Sequence, residues 1–404
     1  MGHIFILALL NALSGFHFFL IAYISGPYLA TFLSPSLIGM VYSFSAVLTL
    51  LGFILIPRLI RTYPTGKLAL ALAGLNVAVL LSLALFNTHT IAILGIALHS
   101  VCAALIAYTL DIFLEEATKD EGETGLIRGI FLTAVNISLV LSPITIGFLL
   151  GNTEIYTPIF LAASLAIVLF MLLLQFRRMR ITDICVPRAS TLRDTLSCLS
   201  ENTSSRRILI LNTLLQSFFI WAPVYIPLYL HIELGIPWST LGPLFAIMLL
   251  PFVLLELPVG RFLDRYHGEG RVMALGFIIT GASFASLAFV VTEPIYVLAM
   301  VLILTRVGAA LIEIGAETAY FRSVGGADAN SVSVFRMTRP LGMFVGPFFG
   351  SALLLILPVQ FVFIPLGLFM LFTAPLALRI AREVLSKKTE PVTVPCNQTL
   401  PQKG

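Results

Sequence analysis

Long apolar segments recur along the whole chain and limit its fold more than any other feature. Twelve such segments can be identified, each close to the ~20 residues that a helix needs to cross a bilayer. In lipid, a spanning segment must satisfy its backbone hydrogen bonds internally, which favours helices. Composition agrees, because only 11% of residues are charged, against about 25% in a soluble domain. The sequence therefore predicts an all-α integral membrane protein with twelve transmembrane helices.

The segments divide into two sets of six with a polar segment between them. The predicted spans are Ile4–Tyr28, Leu37–Ile56, Leu68–Phe86, Ile91–Leu114, Ile127–Leu150, Tyr156–Phe176, Ile208–Leu230, Leu241–Val259, Val272–Val291, Tyr296–Phe321, Val334–Leu357 and Phe361–Leu378. We expect residues 1–176 to form one bundle, 177–207 a cytoplasmic linker, 208–382 a second bundle and 383–404 a disordered tail. In the linker, Leu192, Leu196 and Leu199 fit either a short surface helix or a flexible segment.

The loops between the spans alternate in charge. Loops after odd-numbered spans contain no lysine or arginine, whereas those after even-numbered spans contain residues such as Arg58, Lys119, Arg178 and Arg261. Basic loops remain on the cytoplasmic side of a membrane. We therefore expect a multi-pass protein of the cell (inner) membrane with both termini in the cytoplasm. The net charge of +4 follows this pattern and gives no reason to expect a nucleic-acid partner.

Three charged residues lie inside the tenth span. At ~100° per residue, Arg306, Glu313 and Glu317 fall on one helix face, and Arg306 lies near the bilayer midplane. A charge at that depth is costly unless it has a partner or faces a watery cavity. Arg306 is therefore a candidate substrate ligand, and Glu313 is a candidate proton carrier. A fixed ion pair between the two is the structural alternative.

The two halves of the chain repeat each other at nearly one offset. Pro143 aligns with Pro347 (347 − 143 = 204), and Gly39 aligns with Gly242 (242 − 39 = 203). The charged stretch of the tenth span also has an echo in the fourth span. Repeated six-helix units usually form two bundles that enclose a path between them.

Two motifs connect the chain to a known family. Residues 260–266, with Gly260, Asp264 and Arg265, match the loop that joins helices 8 and 9 in the major facilitator superfamily. Residues 342–350 are similar to the family's glycine-proline motif, which that family carries in helix 5. The chain thus resembles the major facilitator superfamily over essentially its whole length. The equivalent first-half loop departs from the pattern, because Arg61 stands where the family has an acid.

The resemblance implies two pseudo-symmetric six-helix bundles that move a small solute by alternating access. It also implies a cytoplasmic gate, in which acids at the inner ends of helices 4 and 10 pair with arginines on helices 11 and 5. Carried over to this chain, these pairs are Asp111 or Glu115 with Arg336 or Arg339, and Glu317 with Arg128, and the loop residues Asp264 and Arg265 belong to the same gate.

Polar side chains in other spans are further candidates for the central path. His17, Asn136, Gln216 and Trp221 lie at depths comparable to Arg306, and we predict that they contact the substrate. The alternative for each is structural, as a packed histidine or as an interhelical hydrogen bond. The sequence contains no phosphate loop, metal-ligand cluster or nucleophile with a nearby base, so we expect no metal and no cofactor.

Together these features predict a secondary active transporter, not an enzyme. We expect a small-molecule substrate, proton coupling, export as the direction, and a monomer in the lipid bilayer. Proton-coupled uptake of an organic anion held by Arg306 is the alternative within this class. A polytopic membrane enzyme using Asp111, His17 and His99, or a transport-inactive scaffold, is the alternative outside it.

Overall fold

The computed structural model describes residues 2–118, 124–176, 203–266, 268–290, 294–323 and 329–386. Its long helices are α1 (Gly2–Ala30), α2 (Pro35–Thr62), α3 (Thr65–Leu85), α4 (His89–Thr118), α5 (Thr124–Leu150), α6 (Thr157–Phe176), α7 (Thr203–Pro227), α8 (Trp238–Tyr266), α9 (Glu269–Ser286), α10 (Ile295–Ser323), α11 (Ala329–Leu353) and α12 (Phe363–Ser386). Each predicted span coincides with one helix, and the ends differ by up to eight residues. The all-α prediction is therefore confirmed.

The helices have the length and composition of membrane spans. Within the described ranges, eleven are long and apolar enough to cross a bilayer, and α11 is the remaining one. Short turns extend several helix ends, including a π-helix at Leu228–Glu233 after α7 and 3-10 turns at Leu287–Phe289 and Val359–Val362. The predicted surface helix around residues 192–199 and the tail beyond 386 lie outside the described residues.

The packing repeats in the two halves. In the first half α1 packs on α4, α5 and α6, while α3 packs on α4 and α6. In the second half α7 packs on α10, α11 and α12, while α9 packs on α10 and α12. Adding six to each helix number of the first set gives the second set. The structure therefore contains two six-helix bundles related by pseudo-twofold symmetry.

One buried asparagine in each half ties the first helix of the bundle to the fifth. Asn11 Nδ2 donates to the carbonyl of Phe131 at 2.8 Å, and Asn212 Nδ2 donates to Thr338 Oγ1 at 2.7 Å. Both asparagines are less than a tenth exposed. A buried amide in lipid needs such a partner, so each bond fixes how its two helices face each other.

The bundles meet through the residues that repeat in the sequence. A Cβ atom added to Gly242 of α8 would lie 2.5 Å from the carbonyl oxygen of Pro143 on α5, and one added to Gly39 of α2 would lie 2.5 Å from that of Pro347 on α11. These distances are too short for any side chain. The equivalent glycines and prolines thus form two equivalent contacts, α5 with α8 and α2 with α11.

Further contacts join the bundles on the side opposite the chain termini, which we call the outer side. Gly151, with φ +55, ends α5 in a conformation that suits glycine. Its carbonyl accepts a hydrogen bond from the backbone of Ser239 at the start of α8, at 2.9 Å. Ser239 Oγ also donates to Asn152 at 3.0 Å.

An ion pair spans the same outer side. His231, in the π-helix, lies 2.8 Å from Glu154 in the loop between α5 and α6, and Tyr156 donates to the same carboxylate at 3.0 Å. The other ring nitrogen of His231 lies 2.8 Å from the carbonyl of Ile236. Both ring nitrogens of His231 therefore contact an oxygen atom, one from the Glu154 carboxylate and one from the Ile236 carbonyl.

Candidate substrate site between the bundles

Arg306 lies near the middle of α10 and is almost fully buried, with 3% of its surface exposed. Its guanidinium carbon lies 5.1 Å from the ring centre of Phe218 on α7, a favourable cation–π distance. Its Nε and Nη2 atoms have no hydrogen-bond partner within the described part of the chain. These two N–H groups form one edge of the guanidinium plane, the edge that binds a carboxylate or phosphate with two parallel hydrogen bonds.

The guanidinium of Arg306 lies close to the opposite bundle. Tyr23 of α1 is near enough to interact with it electrostatically, and the Tyr23 ring stacks on Phe245 of α8 with centroids 5.5 Å apart. The structural alternative, a fixed pair with Glu313, does not account for the charge, because Arg306 forms no ion pair with any described residue. A buried charge with so few polar contacts is unfavourable, which keeps Arg306 a candidate for binding a ligand.

A small cavity of about 50 Å³ lies between the bundles, and Arg306 is not one of the residues that line it. That volume holds a few water molecules. Ser25, Tyr42, Ser45, His99 and Ser100 give its wall on the first bundle a polar character, and the second bundle adds Ile220, Pro223, Val224 and Met343. Ile21 and Ala22 also line it. We call the space between the bundles, which holds this cavity and the interaction of Arg306 with Tyr23, the central region.

A histidine–asparagine–histidine chain lies behind the polar wall. Asn76 of α3 contacts His17 Nε2 of α1 at 3.0 Å through its amide nitrogen, and its amide oxygen contacts His99 Nδ1 of α4 at 3.0 Å. All three are almost completely buried. His17 was predicted to contact the substrate directly, whereas the structure connects it to the cavity through Asn76 and His99. From the sequence, His99 is a candidate only for the membrane-enzyme alternative, and Asn76 is not a candidate.

A second charged group lies on the side of the chain termini, here called the inner side. Arg339 of α11 is exposed even though it lies within a span, and it interacts electrostatically with Glu313 of α10 and Asp111 of α4. Since α4 belongs to the other bundle, Arg339 faces the opening between the bundles. Both acids are half-buried. The arrangement places two carboxylates around one guanidinium.

The other gate candidates are only partly described. Glu317 is exposed, and Arg265 is exposed with its guanidinium 5.5 Å from the ring centre of Tyr266. The side chains of Glu115, Arg128, Asp264 and Arg336 lie outside the described residues. The predicted gate pairs therefore remain predictions.

A different ion pair lies at the inner end of the second bundle. Arg322 of α10 pairs with Glu269 at the start of α9 and donates to the carbonyl of Leu263 near the end of α8 at 3.2 Å. It ties three helices of one bundle together. The sequence does not predict this pair, because Arg322 and Glu269 lie 53 residues apart and neither occupies a position that repeats between the two halves.

The remaining substrate candidates, Trp221, Gln216 and Asn136, are buried or half-buried and lie outside the cavity lining. Trp221 is buried edge-on against Tyr225 and its indole nitrogen has no hydrogen-bond partner among the described residues. Gln216 is half-buried where α7 packs on Gly342 of α11. Asn136 is half-buried on α5. None of these three lines the cavity, so their contact with a substrate remains a prediction.

Two six-helix bundles with a cavity between them define a multi-pass membrane protein of the solute-carrying kind. The sequence model of the Major Facilitator Superfamily matches residues 7–250 and, in a second match, residues 209–397. The chain belongs to this superfamily, as its motifs indicated. It is a secondary transporter, not an enzyme, with a small-molecule substrate.

Comparison with solved structures agrees on the fold. The nucleoside transporter NupG is 15% identical with a TM-score of 0.72, covering 97% of this chain and 100% of that one. A mutant of the peptide transporter POT in complex with alafosfalin is 12% identical with a TM-score of 0.74, covering 94% of each chain. A search of curated protein sequences finds no match. At these identities the similarity shows the fold alone.

Proposed function

We propose that this transporter takes up a small organic anion together with protons, and that Arg306 holds the anionic group. The single observation that carries this proposal is the unpartnered Nε and Nη2 edge of a guanidinium buried between the bundles. Two parallel N–H groups match the two oxygens of a carboxylate or of a phosphate group. A bound anion would neutralise the buried charge and supply the hydrogen bonds that the protein leaves open.

Charge balance favours symport over exchange. If one anion and one proton bind together, the net charge of the central region is unchanged between the empty and the loaded carrier. If an anion is instead exchanged for a proton, that charge changes by two units during the cycle. Each unpaired charge within the membrane is costly. Export by proton exchange, the direction predicted from sequence, therefore becomes the second candidate.

We assign the proton to Glu313. This acid is half-buried on the same helix as Arg306 and shares Arg339 with Asp111. Two carboxylates share one guanidinium, and a carboxylate is easier to protonate when a second carboxylate lies close to it.

We also propose that both termini lie in the cytoplasm. The proposal further includes a location in the inner membrane and a monomeric state.

Purified protein in liposomes tests the function directly. A panel of organic anions, cations and neutral solutes is assayed for uptake with the outside acidic, with the inside acidic, and without a gradient. We expect anions to accumulate when the outside is acidic, and Arg306→Gln to abolish this. Accumulation driven by the opposite gradient would support export instead, and transport of cations or neutral solutes alone would contradict the role of Arg306.

The variant Glu313→Gln tests the proton site in the same liposomes. It mimics a permanently protonated acid, so gradient-driven accumulation should be lost while exchange of labelled for unlabelled solute continues. Thr318→Ala on the same helix, a half-buried uncharged position, serves as the control and should keep both activities. Gradient-driven accumulation that survives in Glu313→Gln would assign the proton to another group.

A further inference from the structure

We infer that the contact between His231 and Glu154 is a pH-sensitive latch, which holds the outer side closed while it binds a proton and releases it when that proton leaves. The contact joins the two bundles, because His231 follows α7 whereas Glu154 lies between α5 and α6. Such a latch acts independently of the transported solute and of the proton assigned to Glu313.

The hydrogen bond from His231 to the backbone fixes the position of one ring proton. A carbonyl oxygen can only accept, so Nδ1, which lies 2.8 Å from the carbonyl of Ile236, carries a hydrogen atom and donates it. In a neutral imidazole the other nitrogen, Nε2, then has a lone pair and no hydrogen atom. Nε2 can donate only when the ring gains a second proton.

This second nitrogen faces the carboxylate of the other bundle. Nε2 lies 2.8 Å from Oε1 of Glu154 and 3.0 Å from its Oε2. A lone pair and an ionised carboxylate repel each other at these distances, whereas a proton on either the ring or the carboxyl group makes the contact a hydrogen bond. The closed arrangement therefore holds one proton more than a separate neutral imidazole and carboxylate.

The surroundings position the ring and leave the carboxylate accessible to solution. The side chain of His231 is 6% exposed and its ring centre lies 4.6 Å from that of Trp238. The side chain of Glu154 is 60% exposed. Protons from the solution on the outer side can therefore reach the pair while the ring stays in place.

The other titratable groups around His231 do not replace the missing proton. Tyr156 donates to the same carboxylate at 3.0 Å, and a phenol keeps its proton below about pH 10. Tyr28 of α1, the helix on which the π-helix packs, lies against the Tyr156 ring. Glu233 on the π-helix is exposed. The hydrogen bonds that Ser239 forms across the same interface involve no titratable group.

A single linked proton sets both the direction and the steepness of the response. Because the closed state binds one proton more than the open state, raising the pH favours opening. For one proton, the ratio of open to closed molecules changes by at most about tenfold per pH unit. Acid on the outer side should therefore close the carrier, whichever of the two side chains holds the proton.

The distance between two spin labels on the outer side tests the latch without any solute. Leu85 at the end of α3 and Tyr296 at the start of α10 are exposed and belong to different bundles. Both are replaced by labelled cysteines in a cysteine-free background, and pulsed electron paramagnetic resonance is recorded in liposomes. The pH runs from about 5 to about 8, the range in which histidine side chains change their charge. We expect the longer distance to gain population as the pH rises.

Four variants separate the latch from other proton sites. His231→Gln and Glu154→Gln should each lose the response to pH, because a glutamine amide offers both a donor and an acceptor at any pH. His89→Gln, which alters an exposed histidine on the outer side of the first bundle, is the matched control and should keep it. Glu313→Gln should keep it as well, so failure of the proposed transport mechanism leaves the latch standing.

The variant Gly242→Ala guards against a closed state too stable to open. Its added methyl group lies 2.5 Å from a carbonyl oxygen at the α5–α8 contact, which should bring the open state into the measurable range. Distances that do not change with pH in both the wild type and Gly242→Ala overturn the inference. So does a shift to the shorter distance at high pH, or an unchanged response in either glutamine variant of the pair.

Discussion

At the scale of single residues, the unusual feature of this protein is that two similar arginines have opposite surroundings. Arg306 is 3% exposed, lies against one aromatic ring and has an unpartnered donor edge. Arg322, sixteen residues further along α10, pairs with Glu269 and a backbone carbonyl. A charge that lacks partners in the empty protein contributes to ligand binding at the expense of stability.

The variant Arg306→Leu should therefore stabilise the empty protein while it abolishes anion binding. We expect the free energy of unfolding to rise by about 1 kcal/mol, because an unpaired buried charge is removed. The control Arg322→Leu should lower it by about 1 kcal/mol, because a partly buried ion pair is broken. Melting curves of both purified variants in detergent measure the difference. A lower melting temperature for Arg306→Leu would show that the guanidinium is structurally satisfied.

At the scale of helices, two glycine–proline contacts decide how closely the bundles approach. Gly242 on α8 meets Pro143 on α5, and Gly39 on α2 meets Pro347 on α11, at distances that leave no room for a side chain. Small residues permit such close approach between membrane helices. The outer side of the molecule is therefore closed by backbone packing as well as by polar contacts.

The variant Gly242→Ala should weaken this closure, because its methyl group would lie 2.5 Å from a carbonyl oxygen. We expect faster labelling of a cysteine placed at Ser25, in the cavity wall, by a membrane-impermeant maleimide added from the outer side. Gly260→Ala on the same helix is the control, since its added methyl group would meet nothing within 4 Å. Equal labelling of the two variants would show that the α5–α8 contact does not limit access.

The ion pair carried by the π-helix should act on the same closure. We expect His231→Gln and Glu154→Gln each to increase labelling at Ser25 by about two- to fivefold, the effect of an ion pair with one exposed partner. The double variant should match the single ones, since both remove one interaction. Glu233→Gln is the control, because Glu233 is an exposed acid on the same turn. Additive effects would indicate that the two residues act separately.

At the scale of the whole molecule, two similar bundles enclose a region that neither bundle forms alone. Arg306 belongs to the second bundle, whereas Tyr23 and His99 belong to the first. Contacts join the two bundles on the outer side. In a transporter of this architecture, rocking of one bundle against the other exposes the site between them to each side of the membrane in turn.

The proposed orientation has a direct test in intact cells. In a cysteine-free background, a cysteine at Glu154 should react with an impermeant maleimide, whereas one at Lys67 should react only after the membrane is permeabilised. Both positions are exposed, so access to each depends on the side of the membrane on which it lies. The reverse pattern would contradict the predicted topology, because it would place the side of the chain termini outside the cell.

Much of the architecture could be predicted from the sequence, because membrane spans depend on local hydrophobicity. The twelve spans, the membership of the superfamily and the doubling of the chain were all visible in the residues. The aligned pairs Gly39 with Gly242 and Pro143 with Pro347 are the residues that meet between the bundles. The sequence did not show which of them contact each other. In the structure, each glycine packs against the proline of the other half of the chain.

The sequence by itself thus determined the helices and their pairing into two halves, since both follow from the hydrophobicity and repetition of contiguous residues. Only the tertiary structure decided that Nε and Nη2 of Arg306 have no hydrogen-bond partner among the described residues, that Asn76 joins His17 to His99, and that His231 reaches Glu154 in the other bundle. These contacts depend on how each helix is rotated about its axis and packed on distant helices. No local pattern of residues encodes that rotation, because it is set by the packing of all the helices together.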